Sequence, residues 1–119
     1  MKNKSYIKYA KNAAAKQILE LKKINKVFNS SFVKAVEAIY QTKGKVICAG
    51  VGKSGLIARK ISATLSSVGI SSFFLNPSEA NHGDLGQIER RDLLLVFSYS
   101  GNTTELSNML KYANRYNIK

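Results

Sequence analysis

Hydrophobic positions along the chain follow two periodicities, and the change from one to the other falls near Gly44. Ile7, Ala10, Ala14, Ile18, Leu21 and Ile24 recur at spacings of three and four, which predicts an amphipathic helix over residues 5–28 with lysines on its other side. Asn29, Ser30 and Ser31 supply N-cap side chains for a second helix. Phe32, Val36, Ile39 and Tyr40 form its expected buried face, and Gly44 ends it. Beyond Gly44, residues 46–51, 70–75 and 93–98 are short apolar runs of the kind that lie in a parallel sheet covered on both faces.

The segments between these runs complete a topology. Ile57, Ile61, Leu65 and Val68 mark a helical stripe that Gly69 terminates, so the first two strands form a βαβ unit with a right-handed crossover. Leu106, Met109, Leu110 and Ala113 mark a further helix running to about Tyr116. The second and third strands are joined differently, by the polar stretch 76–92 with Pro77, Gly83 and Gly86, and connections of this length inside a compact domain are often functional. The expected fold class is α/β: a three-layer parallel sheet of flavodoxin type behind N-terminal helices. The segments are 1–43 (helical) and 44–119 (sheet). Asn117, Ile118 and Lys119 read as the start of another strand, so the domain is expected to be C-terminally shortened, with the edge of its third strand open unless something covers it.

Composition narrows the function classes. A chain of 119 residues that is 45% hydrophobic can build a core, and its longest apolar run, residues 93–97, is far short of the roughly 20 residues that cross a bilayer. No secretory leader is visible, so a cytoplasmic location is expected, without a membrane partner. Residues 1–60 hold thirteen lysines and one arginine against Glu20 and Glu37 and carry the whole net charge of +12. The Lys, Asn and Ile bias and the lack of interleaved arginine and aromatic side chains favour a solvated helix face over a nucleic-acid surface. The single cysteine, Cys48, lies inside an apolar run and is expected to pack as a small hydrophobe.

Two loops carry the candidate chemistry. Gly50-Val51-Gly52-Lys53-Ser54-Gly55 and the segment from Ser98 to Glu105 each follow a strand and open a helix, where unpaired N–H groups and the positive end of the helix dipole suit an anion. The first loop formally matches a dinucleotide fingerprint but lacks the acidic residue expected near the end of the second strand, where Leu75-Asn76 stands; a plain tight turn also fits it. In the second, Ser98, Ser100, Thr103 and Thr104 place hydroxyls beside the N–H of Gly101, and the structural alternative is an Asn102 N-cap with Glu105 as capping-box partner. If the first and third strands are neighbours, the loops share one crevice. His82, the only histidine, lies beside Gly83 and Asp84 in the long connection; acid–base or sugar-hydroxyl work and a plain surface position are both open to it.

The segments from Gly50 to Gly55, Arg59 to Gly69, Phe73 to Gly86 and Ser98 to Gly101 together resemble the sugar isomerase (SIS) domain, and within it the arabinose-5-phosphate isomerase family. The resemblance implies interconversion of D-ribulose 5-phosphate and D-arabinose 5-phosphate, in the supply of an acid sugar to lipopolysaccharide. It implies a phosphate held around Gly52, Ser54, Ser98, Ser100, Gly101 and Thr103, with Lys53, His82 and Glu105 facing the sugar as catalytic residues. It further implies a homo-oligomer; no cofactor and no metal are expected. Tyr99 and Asn102 depart from the family's usual residues, and its further strands, with another acid and another histidine, have no counterpart here. A non-catalytic phosphosugar-binding module and an inactive remnant therefore stand beside the isomerase.

Overall fold

The structure, a computed structural model, describes residues 2–119, with side chains from residue 4 onward. The chain divides into two compact units, Met1–Glu37 and Ala38–Lys119. The first is helical: α1 (Lys2–Lys23), a 3-10 turn (Ile24–Val27) and the start of α2 (Ser30–Gln41). Asn29 caps α2 as expected, its Oδ1 accepting the N–H groups of Ser31 at 2.9 Å and Phe32 at 3.3 Å. The expected buried faces are corrected. Ile7, Ile18, Leu21, Ile24, Phe32, Val36 and Tyr40 are exposed, because periodicity marks a face able to be buried and does not supply a surface to bury it.

The second unit is the α/β layer. β1 (Val46–Gly50), α3 (Lys53–Ser67), β2 (Ser72–Leu75), α4 (Pro77–Ala80), a 3-10 turn (Asp84–Gln87), β3 (Leu93–Phe97) and α5 (Thr104–Tyr116) follow in chain order. The three strands are parallel in the order β2-β1-β3, with β1 buried throughout. This is the expected arrangement, and it makes the ends of β1 and β3 neighbours, Gly50 opposite Phe97.

Alternation along the strands splits the core in two. Ile47, Ala49 and Leu75 join Met109 and Ala113 of α5, Ala80 of α4, and Ile88 on one face. Val46, Cys48 and Leu93 pack with Ala58, Ile61 and Leu65 of α3, and with Ala38 and Ile39, on the other. Burial pushes the Cys48 thiol above its ordinary range, partly offset by a hydrogen bond with Ser72, which fits a packed and unreactive cysteine.

The stripe expected on α3 is corrected in part. Ile61 and Leu65 pack against the sheet as expected, but Ile57 and Val68 are exposed, and the fully buried residues are Gly55, Ala58 and Ser62. A Cβ built on Gly55 would lie 2.6 Å from the carbonyl oxygen of Gly50, so the helix comes too close to β1 for large side chains and turns small ones inward. Strand ends shift for local reasons. Ile70 donates its N–H to Leu65 O at 2.9 Å and so belongs to the stop of α3 rather than to β2. After α5, Asn117 adopts a left-handed conformation, Ile118 is buried, and Leu94 donates to the carbonyl of Lys119 at 2.8 Å, bringing residue 119 alongside β3. At this amino end of the strands, buried Asp92 accepts from Lys45 N–H at 2.7 Å and Glu89 N–H at 2.8 Å, tying the approaches to β1 and β3 together.

Candidate functional site

Both candidate loops sit at the carboxyl end of the sheet, and each opens a helix that no side chain caps. In the first, Gly52 precedes α3 with φ +59°, a backbone that only glycine adopts without strain, and it has no side chain to offer as a cap. Gly55 N–H reaches Val51 O at 3.3 Å and Leu56 N–H reaches Gly52 O at 3.2 Å. The N–H groups of Lys53 and Ser54, the first two of the helix, have no intramolecular partner among the described residues. Gly50 and Gly55 serve contact rather than conformation: a Cβ on Gly50 would lie 2.8 Å from the Ser54 carbonyl.

The second loop is built from hydroxyls. Ser98 Oγ and Thr103 Oγ1 are 2.9 Å apart, Gly101 donates its N–H to Ser98 Oγ at 3.0 Å, and Asn102 donates to Ser100 Oγ at 3.2 Å. Gly101 makes this turn at φ +70°. The Asn102 N-cap with its capping box is corrected: α5 starts at Thr104, Thr103 is the cap residue in an extended conformation, and its side chain makes no capping bond. Asn102 lies instead inside the turn that Ser100 closes, and Thr103 Oγ1 is occupied by Ser98. The N–H groups of Thr104 and Glu105 are therefore left without an intramolecular partner among the described residues, as an anion site at a helix start requires.

The structure thus brings together Ser98, Gly101 and Thr103, with Ser100 in the same turn, and it places Gly52, Lys53 and Ser54 at the end of the adjacent strand. Lys53, His82 and Glu105 are all exposed. Among the described residues none of their side chains makes a hydrogen bond or ion pair; the backbone of His82 donates to Glu79 O at 2.8 Å, just after α4. Asn76 caps that short helix, its Oδ1 accepting Ser78 N–H at 3.1 Å.

Each loop also lines a cleft of its own. A cleft of about 250 Å³ is bounded by Gly50, Gly52, Arg59, Phe74, Asn76 and Ser78, among others, and one of about 340 Å³ by Ser98, Gly101, Thr103, Leu106 and Leu110, among others. Arg59 and Phe74 escaped the sequence reading as site residues. The available signal was spacing, since Arg59 follows Gly52 by seven residues and so returns to the same side of the helix.

Known proteins are similar along most of the chain. An uncharacterised protein of Rickettsia prowazekii is 44% identical over 110 residues, 92% of this chain and 34% of that protein. Arabinose 5-phosphate isomerase GutQ of Escherichia coli strain K12 is 47% identical over 90 residues, covering 76% of this chain and 28% of the enzyme. The chain thus spans about a third of the length of the curated relatives it matches. A solved structure of an Escherichia coli CFT073 protein in complex with arabinose 5-phosphate superimposes with a TM-score of 0.90 at 34% identity, over 98% of this chain and 62% of that one. The SIS domain model matches residues 38–119, the sheet with its two strand-to-helix loops, and the chain belongs to the SIS-domain family.

Proposed function

We propose that this chain binds a sugar phosphate and that its chemistry is the aldose–ketose isomerisation of five-carbon sugar phosphates, D-arabinose 5-phosphate and D-ribulose 5-phosphate. The observation that carries the proposal is the Ser98–Thr103 hydroxyl pair, 2.9 Å apart at the uncapped start of α5. Hydroxyls and backbone N–H groups hold a phosphate without a fixed countercharge, which suits a ligand that must leave again. Ser100, Gly101, Gly52 and Ser54 complete this set. The Escherichia coli CFT073 relative, with its sugar phosphate bound, supports the same class of ligand.

In the proposed reaction Glu105 takes the proton from C2 of the open-chain aldose, and the C2–H electrons form the C1–C2 double bond of an enediolate. Lys53 stabilises the charge on the former carbonyl oxygen. Returning the proton to C1 and moving the hydroxyl proton from O2 to O1 yields the ketose, with His82 bonding the sugar hydroxyls. Incubation with D-ribulose 5-phosphate, following isomer formation and ligand-induced stabilisation together, tests both halves of the proposal. Turnover is expected, with a loss of about 100-fold or more in Glu105→Gln. Unchanged turnover in that variant removes the base assignment, and absence of both turnover and stabilisation removes the proposal.

One observation favours a second reading, a phosphosugar-binding module without turnover: Lys53, His82 and Glu105 are exposed and do not touch one another through any described hydrogen bond. Stabilisation by D-ribulose 5-phosphate without isomer formation is its expected signature.

A further inference from the structure

The end of the sheet opposite the two loops carries a concentration of positive charge. Lys43 and Lys45 lead into β1, and Arg90, Arg91 and Asp92 lead into β3, so these residues stand at the amino ends of neighbouring strands. Each of the two strands is five residues long, which puts roughly 15 Å between this end and the loops of the proposed sugar-phosphate site. A cleft of about 300 Å³ opens here, and four cations line it, Lys43, Arg90, Arg91 and Lys119, against one carboxylate, Asp92.

That carboxylate is spent on the backbone. Asp92 is buried, and its two oxygens are occupied by the N–H groups of Lys45 and Glu89. Gly44 donates its N–H to Arg91 O at 2.9 Å, and a Cβ on Gly44 would lie 2.6 Å from that same oxygen, so the turn before β1 is pressed against the turn before β3. Arg90 and Arg91 are the central residues of the second turn, which Asp92 N–H closes on Glu89 O at 3.0 Å. Lys119 is fixed beside them by the bond from Leu94 N–H to its carbonyl. Three separate segments of chain are thus held with their cations around one cleft.

Little answers that charge. Among the described residues Lys43, Arg90 and Lys119 make no ion pair. Glu89, outside the lining, is shared between Lys45 at 3.5 Å and Arg91 Nε at 2.9 Å. The contact through Nε steadies Arg91 and leaves its terminal NH₂ groups to bond elsewhere. Like charges gathered around one hollow repel one another, and a multiply charged anion relieves that repulsion more fully than a single charge. The lining has no aromatic ring and only Ala38 as an apolar side chain, so the cleft is fitted to charge and not to a base or a ring.

We propose that this cleft binds a diphosphate group, with Lys43, Arg90, Arg91 and Lys119 as its counter-ions. The site shares no residue with the proposed sugar-phosphate cradle and stands or falls apart from it. The group can belong to free pyrophosphate or to a diphosphate ester, and the same cations serve both.

Calorimetric titration of the full chain with inorganic pyrophosphate, without divalent metal, tests the site, and NMR of the labelled chain locates it. Saturable binding is expected, with shifts at the Arg90 and Arg91 Nε–H groups and at residues 41–44, and with an affinity about tenfold or more above that for inorganic phosphate. Arg90→Gln should weaken binding about tenfold, Lys43→Gln should weaken it by a smaller factor, and Arg90→Lys should recover part of the loss. Both side chains are exposed, and unchanged resonances in the sheet show that a variant is folded. A Ser98→Ala, Thr103→Val double variant, which disables the cradle at the other end of the sheet, should bind pyrophosphate as the native chain does. Titration with ADP identifies the source: tighter binding than pyrophosphate assigns an ester, and equal or weaker binding assigns the free anion. Pyrophosphate that does not saturate, or that binds no more tightly than inorganic phosphate, overturns the proposal. So does native affinity in a chain carrying both Arg90→Gln and Lys43→Gln, and so does a response that disappears in the Ser98 and Thr103 double variant.

Discussion

The two strand-to-helix loops leave neighbouring strands at the same end of one sheet, yet they are built by opposite means. In the first, glycines let α3 press against β1, with a Cβ on Gly55 only 2.6 Å from Gly50 O. In the second, Gly101 has open space where a Cβ would be, and the turn is held by Ser98, Ser100 and Thr103. The glycine spacing of the first loop is therefore a packing device that happens to leave N–H groups free. The hydroxyl cluster of the second is not needed for any close approach of helix to strand. A Gly-x-Gly-x-x-Gly pattern read as a ligand motif credits two of its three glycines with a task that belongs to the core.

The largest test of this contrast is Gly55→Ala. The added methyl meets backbone that cannot swing aside, and about 3 kcal/mol of stability should be lost in chemical denaturation. Cys48 offers a second measurement, because it lies under α3 and its thiol is held neutral by burial. Alkylation should be slow in the native chain near pH 8 and faster in Gly55→Ala. A variant as stable and as unreactive as the native chain would show that the helix can retreat and that the glycine is not a packing device.

A smaller effect is expected from Ser98→Ala and Thr103→Val. Each removes a hydroxyl from the proposed phosphate cradle and should weaken sugar-phosphate binding about tenfold, roughly 1.4 kcal/mol, while the melting temperature without ligand barely moves. If stability falls and affinity does not, the hydroxyls of the second loop are as structural as the glycines of the first.

The fold was more legible in the sequence than the local geometry of the site. Three apolar runs with helical stripes between and after them imply a parallel sheet because burial on both faces leaves few other arrangements, whereas the place of the third strand beside β1, in the order β2-β1-β3, was only a condition until the structure supplied it. Which side of α3 faces the sheet was legible only in part, because Ile61 and Leu65 pack as their spacing predicts while Ile57 and Val68 do not. Hydrophobicity ranks Ile57 and Val68 above Ala58 and Ser62, and only the closeness of Gly50 to Gly55 reverses the ranking. The structural alternative of an Asn102 cap misses the observed cap by one residue for a related reason. Asn102 has the stronger capping propensity, but Ser100 closes a turn around it and moves the cap to Thr103. Arg59 went unassigned because its significance depends on Phe74, fifteen positions further on and on a different element.

The smallest expected effect is the one in which the loops should behave alike. Gly52 and Gly101 have φ of +59° and +70°, and neither has an atom within 4 Å of a built Cβ, so alanine at either position meets strain in the backbone and nothing else. Sparsely populated positive-φ backbone costs an L-residue on the order of 1–3 kcal/mol. Alanine also reduces the freedom of the unfolded chain by about 0.4–1 kcal/mol, which offsets part of that strain. Gly52→Ala and Gly101→Ala should therefore each lose about 1 kcal/mol and differ little from one another in denaturation. A much larger loss in Gly52→Ala would mean that the first loop depends on its positive-φ glycine as much as on its packed pair, and the division between a packing loop and a binding loop would fail. A larger loss in Gly101→Ala would place structural weight on the positive-φ turn at Gly101, which is the part of the contrast that the hydroxyl variants alone do not reach.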